Sequence, residues 1–419
     1  MEGWKQQAGA AGPLAAERGC GSGGEAALPG VGASLAPAAI TTEAPFPATG
    51  PANGASPPRA VEGAATESIP TEQAAPRPAY AALDLGTNNC RLLVARPSRR
   101  GFKVIDAFSR IIRLGEGVSM SGQLSEPAIE RTLEALKVCA AKIERHRVVR
   151  SGLIATEACR RAANGQEFLE RARTATGLDI KIVSRETEAK LAVCGCASLI
   201  DFGCDFALVF DIGGGSSELI WLDLRQRRHG SRHSLPERLE AQACIAAWTS
   251  LPVGVVTLAE RFGGRFVDRG TFAGMVEHVS SLLEPFEKEH RFQSRIGGGT
   301  THMLGTSGTV TTLAGVHLGL PRYERSRVDG CWLEIGDVRT VTAKLLDASY
   351  EQRVAQPCIG KERADLVLAG CAILEAMMSM WPCQRLRVAD RGLREGILTT
   401  LMVEDGVYRT ERRSGYWRR

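Results

Sequence analysis

Two stretches of the chain, "LDLGTNNCRLLV" (83–94) and "FDIGGGSSELIW" (210–221), follow one plan: apolar, Asp, apolar, Gly, a short loop of small or polar residues, then an apolar run. A strand interrupted in this way has few choices. Glycine tolerates positive φ, so each run is expected to reverse as a tight β-hairpin just after the acid. In such a turn several backbone N–H groups point the same way and form a concave anion site. Gly86, Thr87, Asn88 and Asn89 are the candidates in the first copy, and Gly213, Gly214, Gly215, Ser216 and Ser217 in the second. Asp84 and Asp211 end their strands beside those turns, where a carboxylate suits a hydrated Mg²⁺ or Mn²⁺. One copy alone reads as an ordinary glycine-rich hairpin. Two copies with the same Asp-x-Gly placement point to a duplicated grip on phosphate.

The surrounding pattern repeats as well. "YAALDL", "CRLLVA" and "FKVIDAF" predict three strands joined by short turns. "SEPAIERTLEALKVCAAKIERH" predicts a helix, with Pro127 in its first turn and apolar residues at helical spacing. Strand "SGLIAT", helix "GQEFLERARTAT", strand "DIKIV" and helix "ETEAKLAVCGCASLI" follow. The pattern then restarts with strands "FALVFDI" and "SSELIWLDL", and "HMLGTSG" and "LRVAD" are later strands with helices between. A meander followed by alternating helices and strands, met twice, predicts an α/β fold of two related domains. They are expected at 79–191 and 192–408, each with one hairpin, flanked by a disordered Ala/Pro/Gly-rich tail at 1–78 and a basic tail at 409–419. The "GCGSGG" of the first tail fits a dinucleotide-binding spacing but follows no strand and opens no helix, so it is a chance match.

Composition narrows the classes. A chain of 419 residues is too long for one ordinary core. Its 44% hydrophobic and 24% charged content reads as soluble and globular. A net charge of +5 suits an anionic ligand without requiring one. Aromatics, at 5%, are too sparse for a row of base-stacking platforms, so no nucleic-acid partner is expected. The 12 cysteines show no zinc-site spacing and read as buried reduced thiols, which favours the cytoplasm. No run of about 18 apolar residues and no secretory leader is seen, so no membrane association is expected. The sequence leaves a homodimer open.

Several segments resemble a known family. "ALDLGTNNCRLLV", "FDIGGGSSELI" and "LGTSGTVTTLAG" are similar to the phosphate-loop motifs of the exopolyphosphatase/guanosine pentaphosphate phosphatase (Ppx/GppA) family. "IIRLGEGV", "ATEACRRAAN", "SLPVGVVTLAERF", "ERADLVLAG" and "DRGLREGIL" match too, in the family's order. The resemblance implies the actin/Hsp70/sugar-kinase superfold in its short form: two RNase H-like domains with the substrate in the cleft between them. It implies that Glu188, in "SRETEAKLA", is the catalytic glutamate that positions or activates water, with Glu218 as a second glutamate. It implies a phosphate-binding arginine at Arg160 and a third phosphate contact at Gly305, Thr306, Ser307 and Gly308. Two departures stand out. Asn89 replaces the serine of many members, and 224–243, "LRQRRHGSRHSLPERLEAQA", looks like an inserted basic loop.

Hydrolysis of a phosphoanhydride needs the terminal phosphoryl held, its charge neutralised, and water aligned opposite the leaving oxygen. Hairpin amides, Arg160 and Mg²⁺ suit the first two tasks, and Glu188 or Glu218 the third. No Walker A, Gly-x-Ser-x-Gly or His-Glu-x-x-His sequence offers a rival design. On residues alone Glu188 reads first as an acid in the opening turn of a helix capped near Ser184, and only the resemblance raises it. Glu218, between a glycine loop and Leu219-Ile220, has fewer bland uses. The expected substrate is a polyanion, polyphosphate or guanosine pentaphosphate. The alternatives are a small-molecule kinase of the same superfold and a non-catalytic alarmone-binding protein.

Overall fold

The computed structural model describes residues 77–99, 101–225, 235–296 and 300–408, without the side chains of 235–237. The expected tails, except residues 77 and 78, and positions 226–234 of the basic insert lie outside the described residues. All described residues belong to one compact unit, Gln73–Arg419.

Two sheets repeat one topology. The first contains β1 (Ala79–Leu85), β2 (Asn89–Ser98), β3 (Gly101–Ile111), β4 (Val148–Ala155) and β5 (Lys181–Ile182), in the order β3-β2-β1-β4-β5. The second contains β6 (Phe206–Ile212), β7 (Ser217–Asp223), β8 (Ile245–Leu251), β9 (Thr301–Thr306), β10 (Trp332–Glu334) and β11 (Arg385–Ala389), in the order β10-β11-β9-β6-β7-β8. In each, the first three strands form an antiparallel meander, and the next strand returns parallel to the first. The duplicated α/β reading therefore holds, with three differences in detail. β8 and β10 are strands that the sequence pattern did not mark. β5 is only two residues of the expected "DIKIV", because it is an edge strand paired on one side. The end of the basic insert is helical rather than a loop, at Leu235–Glu240 and Ala241–Cys244.

Seven helices matter for the site: α1 (Glu126–Arg145), α2 (Glu157–Arg161), α3 (Arg185–Cys196), α4 (Val255–Phe262), α5 (Gly308–His317), α6 (Val367–Met380) and α7 (Leu393–Glu404). Two of them fasten the sheets together. Ala189, Val193 and Cys196 of α3 pack on Ala207, Val209 and Ile220 of the second sheet. Leu393, Ile397 and Leu398 of α7 pack on Tyr80, Ala82 and Leu93 of the first. α3 and α7 cross closely because Gly195 faces the Gly392 carbonyl and Gly396 faces the Leu191 carbonyl, where any Cβ would collide. The loops that follow β1, β4, β6 and β9 consequently converge on one cleft.

Most of the described cysteines are buried. Cys90 and Cys139 bring their sulfurs to 3.9 Å in the core of the first sheet. Among the described residues no helix is long and apolar enough to cross a membrane.

Candidate active site

The two hairpins close with the same bond. Gly86 N donates to Asn89 O and Gly213 N to Ser216 O, each at 2.9 Å. Asp84 pairs across its ladder with Arg91, and Asp211 with Glu218, so Glu218 occupies the place that Arg91 holds in the first copy. The loop glycines do not supply positive φ, which corrects the sequence reading: Gly86, Gly213, Gly214 and Gly215 are all absent from the left-handed region. They are needed for close approach instead. A Cβ on Gly214 would lie 2.9 Å from Thr87 Cβ, and one on Gly215 would lie 2.8 Å from Thr87 Oγ1. The hairpins thus meet tip to tip.

Their carbonyls are consumed elsewhere. Asn88 O accepts from Ile112 N and Arg113 N, Thr87 O from Gly115 N, and Gly213 O and Gly214 O from Val255 N and Val256 N at the start of α4. The N–H groups of Thr87, Asn88, Gly214 and Gly215 donate to no described residue. Asn88 Oδ1 is likewise buried without a partner among the described residues. Tips with spent carbonyls and unspent amides form an anion cradle.

The smaller of two adjoining cavities, about 140 Å³, lies against this cradle. Asp84, Gly86, Thr87, Asn88, Asn89, Glu188, Asp211, Gly213, Gly214, Gly215, Ser216, Glu218, Ser307 and Gly308 all line it. Ser307 caps α5 with φ of 126°, a strained conformation for a side-chain-bearing residue, and strain of this kind concentrates at functional sites. Four expected contacts sit differently. Ser217 is fully buried and its hydroxyl donates to Val253 O at 2.7 Å, away from the cavity. Gly305 lies inside β9, packed against the Phe210 ring, and Thr306 ends that strand and reaches only the larger cavity. Arg160 stands just behind the lining, with Nη1 on Glu157 Oε2 at 3.0 Å and Nη2 on Glu188 Oε2 at 2.6 Å.

The carboxylates are electrostatically distinctive. Glu218 is buried on β7, and its Oε1 accepts from Ser216 Oγ at 2.8 Å and Ser250 Oγ at 2.9 Å. Burial, followed by the charge of Asp211, raises its pKa to about 7 against the hydroxyl hydrogen bonds. Glu188 is also pushed well up, first by burial and next by Glu218, while Arg160 pulls it down. Its place in the first turn of α3, behind a Ser184 cap that accepts from Thr187 N, agrees with the helix-end reading of the sequence. Asp211 rises to about 6 through burial and the charge of Asp84, and burial pushes Asp84 upward too.

The larger cavity, about 620 Å³, opens from the first and shares Asp84, Arg91, Asp211 and Arg363 with it. Arg91, Lys361, Arg363 and Arg394 line it without an ion pair to any described residue. Of these, the sequence singled out only Arg91. Arg363 and Arg394 lie within the quoted "ERADLVLAG" and "DRGLREGIL", but nothing local distinguishes them from other surface cations. Glu157, in "ATEACRRAAN", was missed for the same reason: beside Arg160 it reads as a plain i, i+3 pair.

A fold of two topologically matched α/β halves around an amide-rich cradle with paired carboxylates suits a phosphotransfer or phosphohydrolase class. The model of the Ppx/GppA phosphatase family matches residues 93–404, so the chain belongs to that family and is a hydrolase of phosphoanhydrides. Its fold is the actin-like one. A Ppx/GppA family member from Aquifex aeolicus is 28% identical, with a TM-score of 0.61 over 79% of this chain and 99% of its own. An exopolyphosphatase-like protein is 26% identical, with a TM-score of 0.66 over 77% of this chain and 97% of its own. An exopolyphosphatase from Cytophaga hutchinsonii shares the fold at 23% identity, with a TM-score of 0.67 over 78% of this chain and 98% of its own.

Proposed function

We propose that the protein removes the terminal phosphate of inorganic polyphosphate or of guanosine pentaphosphate by attack of water on the terminal phosphorus. The observation that carries this reading is the meeting of two amide-rich hairpin tips beside half-buried Glu188 and buried Glu218, two carboxylates with raised pKa. The unspent amides of Thr87, Asn88, Gly214 and Gly215 would hold the terminal phosphoryl oxygens, helped by the N-terminus of α5 at Ser307 and Gly308. A base works best with a pKa near the working pH, and Glu218 at about 7 meets that condition. Its Oε1 is held by two serines, and its Oε2 has no described partner and is free for the water. The remainder of the polyanion would occupy the larger cavity, where Arg91, Lys361, Arg363 and Arg394 supply unpaired positive charge. That charge suits any chain of phosphates.

Asp84 and Asp211 fit a magnesium ion. Both are carboxylates disfavoured in their charged form, and Asp211 is raised further by Asp84. A divalent cation would relieve that repulsion. Among the described residues no group of three or more His, Cys, Asp or Glu is arranged to hold a metal. Magnesium commonly takes one or two carboxylates, several waters and substrate phosphates, so the pair suffices. When bound, it would neutralise charge on the phosphates.

The test is phosphate release by the full chain from polyphosphate, guanosine pentaphosphate, GTP and ATP side by side. Free phosphate from either of the first two supports the reading. Transfer to an acceptor from ATP would replace it with a kinase, and binding without turnover would replace it with a sensor.

A further inference from the structure

The arginine behind the smaller cavity is held in an unusual way. Glu157 is only 3% exposed, and its carboxylate is fully engaged. Oε1 accepts from Arg185 Nη2 at 2.9 Å, and Oε2 accepts from Arg160 Nη1 at 3.0 Å and Arg185 Nε at 3.3 Å. The second hairpin covers it: a Cβ on Gly215 would lie 3.2 Å from Glu157 Cγ. Arg160 then spans two carboxylates, with Nη1 on Glu157 and Nη2 on Glu188, and its Nε is buried without a partner among the described residues. Arg185 pins Glu157 from the solvent side, with its own side chain 42% exposed.

We propose that Glu157 is a positioning residue: it tethers Arg160 by Nη1, so that Nη2 can leave Glu188 for the terminal phosphate when substrate binds. Nη2 is the donor nearest the smaller cavity, because its partner Glu188 lines it. Exchange releases Glu188 from its ion pair at the moment substrate arrives, leaving that carboxylate free to accept a hydrogen bond from water. Arginine and carboxylate otherwise favour a two-pronged pairing. Without Glu157, Arg160 would be free to turn both amino groups onto Glu188 and keep it occupied. The buried carboxylate at 157 is therefore what prevents the arginine from capturing the glutamate. This inference rests on the phosphohydrolase reading.

The experiment measures kcat and KM on inorganic polyphosphate for Glu157→Gln in the native background and in an Arg160→Lys background. Lysine keeps the charge but cannot bridge several acceptors in one plane. In the native background kcat is expected to fall about 10- to 30-fold, with KM changed by less than about threefold. In the Arg160→Lys background the same substitution is expected to change kcat by less than about twofold, because the tethered fork is already gone. Equal losses in both backgrounds, or a rise in KM with kcat unchanged, would overturn the tether. If Glu157→Gln does not melt cooperatively, Glu157→Asp goes through the same two backgrounds and is judged by the same criteria. Absence of phosphate release by the native chain sinks the phosphohydrolase reading, whereas native turnover with additive effects at 157 and 160 sinks only the tether.

Discussion

Replacement of Gly214 by alanine is the sharpest test of the tip-to-tip arrangement. The new Cβ would sit 2.9 Å from Thr87 Cβ, 3.2 Å from Asn88 N and 3.3 Å from Asn88 Cβ. Carbon atoms in ordinary contact stay about 3.5–4.0 Å apart, so the tips must separate by roughly 0.6–1.1 Å. Backbone atoms and a Cβ cannot rotate out of the way, unlike the end of a long side chain. Overpacking of this kind costs about 1–3 kcal/mol, so the melting temperature should drop by a few degrees. The larger effect should be on the reaction. The amides proposed to hold phosphate come from both tips, and a displacement near 1 Å can cost about 100-fold. We expect kcat to fall by about 10- to 100-fold in a phosphate-release assay at saturating polyphosphate. The control is Gly336→Ala, in the helix Ile335–Asp347, where a Cβ meets nothing within 4 Å. That change should leave kcat intact and add up to about 1 kcal/mol of stability. A Gly214→Ala enzyme with native kcat would refute the reasoning, because the tips would then not need to touch.

Other expectations follow from the same geometry. Glu188→Gln and Glu218→Gln should each lower kcat by at least about 100-fold while substrate binding persists, measured by turnover and by titration of a non-hydrolysed analogue; near-native rates in Glu188→Gln would return that residue to a helix-end role. Activity should vanish in chelator and return with Mg²⁺ or Mn²⁺, and Asp211→Ala should shift the metal midpoint; full activity in chelator would remove the metal from the account. Away from the cleft, Asp106 accepts from Lys142 Nζ at 2.7 Å and lies 2.8 Å from His146 Nε2. Burial raises its pKa, but these partners outweigh burial and bring it from 3.8 down to about 2. A depressed carboxylate stabilises the fold above its unfolded pKa and loses that contribution as pH falls through about 2. Asp106→Asn should therefore cost about 2 kcal/mol at neutral pH and almost nothing near pH 2, read from urea melts at both pH values.

Much of this site was legible in the sequence because the hairpins are local objects. An Asp two residues before a Gly, followed by a short loop and a strand, encodes the acid, the reversal and the amides together. The structure adds that both copies close with the same Gly-to-residue-plus-three bond. The reason for the glycines was misread. Positive φ is a property of one residue, whereas the close approach of Gly214 to Thr87 depends on 126 intervening residues folding first. Ser217 was misassigned for a related reason, since strand alternation turns it away from the loop and toward Val253. Arg363, Arg394 and Glu157 acquire meaning only from tertiary neighbours. A lone cation before an apolar helix, or a glutamate three residues before an arginine, carries no local mark of a cavity.

The most direct measurement is isotopic. The full chain is allowed to hydrolyse polyphosphate in ¹⁸O-labelled water, and the released phosphate and the shortened chain are analysed by mass spectrometry. Attack of water on the terminal phosphorus puts a single solvent oxygen into the released phosphate and none into the chain. Label in the remaining chain, or phosphate appearing on another acceptor instead of in solution, would contradict the account.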